Sequence, residues 1–190
     1  MQEKRGFTLL EVLVVVVIAL SVAVFAVPAY KKTQDLNNYT AAQGALLSLG
    51  SAVRNMQMDI AAAGKDDWPL DSSIQVLSSW QNASNASDSE IASANKTVAE
   101  IEAADDFKYA LFTSYMAPIP FTNSTDSTYK GFKFYICPAN KASTSTTDCC
   151  SKDKEVVACM FYTGSDRATG NQYYGAQFKK DAALYRLNKK

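Results

Sequence analysis

The chain has 190 residues, with 19 basic and 19 acidic side chains and no histidine. That length is typical of one domain, and the balanced charge offers no basic surface for a polyanion, so nucleic acid is not expected as a main partner. Without histidine the chain cannot hold a Ser-His-Asp triad, a Cys-His pair or a histidine zinc site. We expect no catalytic role, although Lys, Tyr, Asp and Glu remain available for chemistry and the missing histidine alone does not exclude an enzyme.

The N-terminus combines a basic leader with a long apolar run. Residues 1–6 are short and polar and contain Lys4 and Arg5. From Phe7 to Val27 nearly every residue is apolar, and a helix of this length spans roughly 30 Å, the thickness of a bilayer core. The positive-inside rule keeps the leader in the cytoplasm, so the body of the chain is expected outside the inner membrane.

A single carboxylate, Glu11, interrupts the apolar run. A charge within a membrane span costs about 3 kcal/mol on insertion scales and usually has a functional partner. An ordinary secretory signal peptide, with small residues at Ala23, Ala26 and Ala29, is one alternative interpretation. A plain single-span anchor is another. Neither a signal peptide nor a plain anchor requires a carboxylate within the apolar run.

The run from Gly6 to Lys32, GFTLLEVLVVVVIALSVAVFAVPAYKK, resembles the N-terminus of type IV pilins and type II secretion pseudopilins. In that family a prepilin peptidase cuts after the glycine and methylates the new N-terminus. The resemblance therefore implies cleavage between Gly6 and Phe7 and methylation of Phe7. The family's glutamate falls on Glu11, and its helix-bending proline falls on Pro28.

The resemblance implies a structural subunit of a type IV pilus, with a type II secretion pseudopilin or a DNA-binding or surface-binding minor pilin as alternatives. The implied partners are further copies of the chain, the prepilin peptidase, an inner-membrane platform protein and an assembly ATPase. No cofactor or metal is expected. The chain would span the inner membrane once before assembly and lie in an extracellular or periplasmic filament afterwards. In the filament core, Glu11 could neutralise the α-amino group of a neighbouring Phe7 and so fix the register between subunits.

After Pro28 the apolar pattern changes to the spacing of one helical face. That face consists of Tyr39, Ala42, Leu46, Leu49, Val53, Met56 and Ile60. Proline lacks an N–H, which predicts a kink or local melting, with two separate helices as the alternative. We expect a membrane or filament-core helix over 7–29 and an amphipathic helix over 30–63, together roughly 85 Å long. Gly64 is the expected stop.

The remaining chain predicts a variable connection and then a sheet, giving an α+β, pilin-like fold. Residues 64–128 form the connection, with helical spacing from Val98 to Tyr115. Residues 129–190 form the antiparallel sheet. Its expected strands are Tyr129–Cys137, Glu155–Tyr162, Gln172–Phe178 and Ala182–Leu187. Alternation puts Phe132, Phe134 and Ile136 on one face of the first strand. In the second strand it puts Val156 and Ala158 on the face opposite to Val157 and Cys159.

The four cysteines, Cys137, Cys149, Cys150 and Cys159, all lie in this last region. In an exported protein this pattern predicts two disulfides. A bond between the neighbours Cys149 and Cys150 is sterically awkward, and the other two pairings stay open. A zinc site with four thiolates is the alternative, although adjacent cysteines fit tetrahedral coordination poorly.

A binding module is the competing function from another class. Its candidate residues for contacting DNA or a host surface are Tyr173, Tyr174, Lys179, Lys180, Lys189 and Lys190. We interpret them chiefly as sheet residues and solvated charges. A membrane-anchored enzyme has weaker support, because paired acids such as Asp105 and Asp106 have no partner site.

Overall fold

A computed structural model describes residues 8–65, 70, 72–76, 96–97, 100–101, 104–116, 129, 131–138, 149–150, 155–164 and 174–187. The helical elements are α1 (Leu9–Ala62), α2 (Ala104–Ala110) and a π-helical turn (Leu111–Tyr115). The strands are β1 (Ile74–Gln75), β2 (Phe132–Ile136), β3 (Val156–Tyr162), β4 (Gly175–Lys179) and β5 (Leu184–Leu187). A long N-terminal helix followed by an antiparallel sheet confirms the expected α+β, pilin-like layout.

Helix α1 runs unbroken for 54 residues and contains Pro28. At about 1.5 Å per residue it is roughly 80 Å long. It ends where the N–H of Gly64 donates to the Ala61 carbonyl at 3.0 Å and the N–H of Lys65 donates to the Ile60 carbonyl at 3.2 Å. Gly64 has a φ of +79°, a conformation that glycine adopts without strain. This glycine therefore ends the helix.

The five strands are ordered β1-β2-β3-β4-β5, and each pairs antiparallel with its neighbour. Four of them lie where alternation predicted strands, and no strand end differs from its predicted position by more than three residues. Strand β1 was not predicted, because two residues are too few to show a period.

The core lies between the C-terminal half of α1 and one face of the sheet. The buried α1 face includes all the residues that helical spacing joined, from Tyr39 to Ile60. It packs on β2, β3 and β4 in a single cluster that contains Phe132, Phe134 and Phe178. Tyr39 also donates its hydroxyl to the carbonyl of Gly175 at 2.9 Å, which ties the helix to β4.

A register shift in β3 changes which face two valines occupy. Between Val156 and Ala158 the pairing with β4 slips, as in a β-bulge. Val157 and Ala158 both join the core, whereas Val156 packs with the cysteines on the opposite face. The predicted placement of the two valines was therefore wrong. Simple alternation cannot reveal an inserted residue.

The described parts of the connection contact α1 and one another. Phe107 and Leu111 are buried in the core cluster. Tyr115 donates its hydroxyl to Asp59 of α1 at 2.7 Å. Lys96 contacts the buried Asp106 at 2.8 Å. Asp106, for which the sequence suggested no partner, thus takes part in a structural ion pair.

Candidate functional site: the apolar half of the long helix

The first half of α1 projects with its side chains exposed from the head, defined here as the C-terminal half of α1, the sheet and the described parts of the connection. Every residue from Leu9 to Gln34 is exposed, with Leu9 at 84% and Phe25 at 79% of full accessibility. The large exposed residues are Leu9, Leu10, Val12, Leu13, Val14, Val15, Val16, Val17, Ile18, Leu20, Val22, Val24, Phe25 and Val27. The apolar half, defined here as 9–27, therefore presents apolar side chains on all sides of the helix.

The same helix is long enough and apolar enough to cross a membrane, judged by its length and composition. Tyr30, Lys31 and Lys32 follow this half and are exposed. Tyrosine and lysine are typical of the membrane–water interface. Together with a positively charged leader, this pattern is consistent with membrane anchoring before assembly.

Thr8 and Glu11 form a capping box at the start of α1. The backbone N–H and the hydroxyl of Thr8 both donate to Oε2 of Glu11, each at 2.9 Å. In return, the N–H of Glu11 donates to the Thr8 hydroxyl at 3.3 Å. Two otherwise unpaired amides of the first helical turn are thus satisfied.

The sequence also contains a signal for this role of Glu11, which the membrane interpretation of the carboxylate did not take into account. A Thr-x-x-Glu pattern before an apolar run is the signature of a capping box, and residues 8–11 read Thr-Leu-Leu-Glu. The structure therefore gives Glu11 an intramolecular function in the single subunit. Both hydrogen bonds end on Oε2, and Oε1 accepts none from the described residues.

Pro28 lies inside α1, so the alternative of two separate helices is not what the structure shows. Because proline has no N–H, the carbonyl of Val24 lacks its usual donor four residues later. The unbroken helix does not show the local melting that was the other expectation at Pro28, and a kink there stays a prediction. Gly6 and Phe7, the expected cleavage and methylation residues, lie outside the described residues.

The cysteines form two disulfides, Cys137–Cys150 and Cys149–Cys159. These bonds attach the segment before β3 to the sheet face opposite α1. The side-chain amide of Gln177 in β4 donates to the carbonyl of Cys149 at 2.8 Å, which adds a third attachment. With every cysteine bonded, no thiolate is left for the alternative zinc site.

Only some residues of the competing binding module lie in the described part of the chain. Tyr174 contacts the ring of Phe161 at 6.1 Å between centroids, and the Lys179 ammonium lies 4.6 Å from the centre of the Tyr185 ring. Lys180 is partly exposed in the turn after β4. Tyr173, Lys189 and Lys190 lie outside the described residues.

Comparison with protein families finds one match, the prokaryotic N-terminal methylation motif, over residues 1–27. Comparison with curated proteins and with solved structures gives no match. The matched residues cover the basic leader, the capping box and the apolar half. They carry the class III signal of type IV pilins and pseudopilins, which supports a structural subunit of that kind rather than an enzyme.

Proposed function

We propose that this protein is a pilin, the structural subunit of a type IV pilus filament. A prepilin peptidase cuts it at Gly6–Phe7 and methylates Phe7, and the subunit then assembles through α1. The observation that carries the proposal is the apolar half of α1, whose side chains are exposed to the solvent. Burying each of its large side chains contributes about 1.5–3 kcal/mol relative to water. Such a surface requires lipid before assembly and other apolar helices afterwards.

Hydrophobic burial alone does not move the subunit from lipid into a filament. Lipid tails are as apolar as leucine, so helices associate in this environment through close packing and polar contacts. Within residues 9–27 the only charged side chain is Glu11. Stabilisation of this carboxylate is therefore the polar contribution that can favour the filament core over the bilayer.

The proposed partner of Glu11 is the α-amino group of Phe7 in a neighbouring copy. The Thr8 hydrogen bonds use only Oε2, so Oε1 can accept the ammonium without loss of the cap. A mismatched register would leave both charges unpaired, and breaking a buried pair costs about 3–5 kcal/mol. The pair would thus select one axial offset between subunits. A membrane platform protein and an assembly ATPase would supply the work of extraction.

The test is Glu11→Gln in the native cell, with Asp35→Asn as the matched control. Both changes remove one carboxylate from α1, but Asp35 lies beyond the apolar half. We expect both variants to be inserted and cleaved, and only Glu11→Gln to lose most of its filaments by electron microscopy of the cell surface. Filaments of normal number and length from Glu11→Gln would contradict the proposed pairing.

A further inference from the structure

We propose that the four cysteines form one thiol–disulfide exchange site, in which an external thiol that attacks Cys149 lets both bridges change partners. The site lies on the sheet face opposite α1 and is separate from the apolar half. It consists of Cys137 after β2, Cys159 within β3, and the adjacent Cys149 and Cys150 between these strands.

The four cysteine residues differ in burial, which favours one of them for attack by an external thiol. Cys137, Cys150 and Cys159 retain 2%, 6% and 0% of their accessible surface. Cys149 is partly exposed. Thiol–disulfide exchange requires a thiolate to reach a sulfur atom of the bond. A thiol from solution therefore attacks Cys149, and Cys159 is the leaving group.

The position of Cys159 then permits a second exchange within the protein. Its Sγ lies 3.6 Å from Sγ of Cys150 and 3.8 Å from Sγ of Cys137. These two sulfurs form the other bridge. Once released as a thiolate, Cys159 is therefore in van der Waals contact with both sulfur atoms of an intact disulfide, in a site that excludes competing thiols.

The complete cycle is balanced without any net oxidation. The external thiolate forms a mixed disulfide with Cys149 as the Cys149–Cys159 bond breaks. The Cys159 thiolate attacks Cys150, so that the Cys150–Cys159 bond forms and Cys137 leaves as a thiolate. Cys137 then attacks the mixed disulfide at Cys149, forms Cys137–Cys149 and returns the external thiolate.

As a consequence, the relative stability of the two disulfide isomers, rather than the order in which the bonds form, determines which pairing accumulates. Adjacent cysteines make two pairings accessible, and a chain oxidised to the alternative isomer can convert without complete reduction. The hydrogen bond from Gln177 to the Cys149 carbonyl favours the observed isomer, because it holds this residue over β4. The chemical class of the reactant is a small thiol, with glutathione as the probe.

The first experiment treats the full chain in detergent with reduced glutathione at pH 8, followed by an acid quench, alkylation and tryptic mass mapping. Trypsin places Cys137 in peptide 134–141, Cys149 and Cys150 in 142–152, and Cys159 in 155–167. We expect the glutathione adduct on peptide 142–152 and alkylated thiol on both 155–167 and 134–141. An adduct mainly on 155–167, or thiol confined to that peptide, would overturn the proposal.

The second experiment isolates the internal step with Cys149→Ser and uses Cys159→Ser as its matched control. In Cys149→Ser the remaining thiol is next to an intact bridge, so alkylation should spread to peptide 134–141 within minutes to hours at pH 8. In Cys159→Ser that peptide should stay unlabelled. Its labelling would require a bond between neighbours whose Cα atoms lie about 3.8 Å apart, closer than disulfides usually allow. Equal labelling in the two variants, or none in Cys149→Ser, would overturn the proposal.

Discussion

At the scale of single residues, one glycine determines how closely α1 approaches the sheet. A Cβ atom placed on Gly50 would clash with the ring of Phe178. The ring belongs to β4 and is buried in the core. Gly44, earlier on the same helix, is exposed and has open space around its Cβ position. Close packing therefore requires glycine at position 50 but not at position 44.

Replacing each glycine with alanine separates helix propensity from packing. Gly50→Ala forces the Phe178 ring or the helix to move, so we expect a loss of about 1–3 kcal/mol in the free energy of unfolding. Gly44→Ala should instead gain up to about 1 kcal/mol, because alanine is the better helix former. Both changes in the free energy of unfolding can be measured by denaturant unfolding of the full chain in detergent, monitored by near-ultraviolet circular dichroism. Equal effects of the two substitutions would contradict the packing explanation.

At the scale of elements, the hydrogen bond between Tyr115 and Asp59 joins the π-helical turn to α1. Partial burial, followed by the hydrogen bond and the charge of Asp59, raises the pKa of Tyr115 to about 12. The usual tyrosine value is about 10. A pKa raised by folding means that the neutral phenol is favoured in the folded state. Its contribution is therefore complete below pH 10 and is lost as pH rises from about 10 through about 12.

This linkage predicts an alkaline difference between the wild-type chain and Tyr115→Phe. The stability advantage of the wild type should shrink as pH rises from 8 to 11.5, because only the wild type ionises at this position. Unfolding midpoints of both proteins across that range give the measurement, with Asp59→Asn combined with Tyr115→Phe as the control for the pair. A difference that stays constant over this range would show that the hydrogen bond does not couple to folding.

The elements differ in how well the sequence predicted them, for physical reasons. Helical spacing from Tyr39 to Ile60 and alternation at Phe132–Ile136 reflect burial on one face, and both were confirmed. The bulge near Val157 and the two-residue β1 depend on long-range pairing, which no local pattern records. The choice between two disulfide pairings likewise depends on how the segment crosses the sheet. The capping box was readable from Thr8 and Glu11 but became apparent only with the structure.

At the scale of the whole molecule, the chain divides α1 between two environments. All buried side chains among the described residues lie at Tyr39 or beyond, whereas residues 9–34 are exposed. Among the described residues, the core of the head therefore contains no side chain of the apolar half. On the proposed function, this separation would let one subunit leave a bilayer and enter a filament without refolding its head.

The separation predicts that residues 29–190 form a monomer in water without detergent. The shortened chain keeps the buried face of α1, the sheet and both disulfides, and it loses the surface that drives association. The full chain should require detergent under the same conditions. Size-exclusion chromatography with light scattering gives the comparison. An aggregated or unfolded shortened chain would show that the apolar half contributes to the stability of the head.

The central claim, that this chain is processed and then packed into a pilus, has one most direct test. Filaments are sheared from the surface of the native cell, and the intact mass and N-terminal peptide of their subunits are measured. The account predicts abundant chains that begin at N-methylated Phe7 and contain two disulfides. Uncut chains that still carry residues 1–6 would contradict the processing step. Mature chains confined to the membrane fraction would contradict the assignment to a pilus.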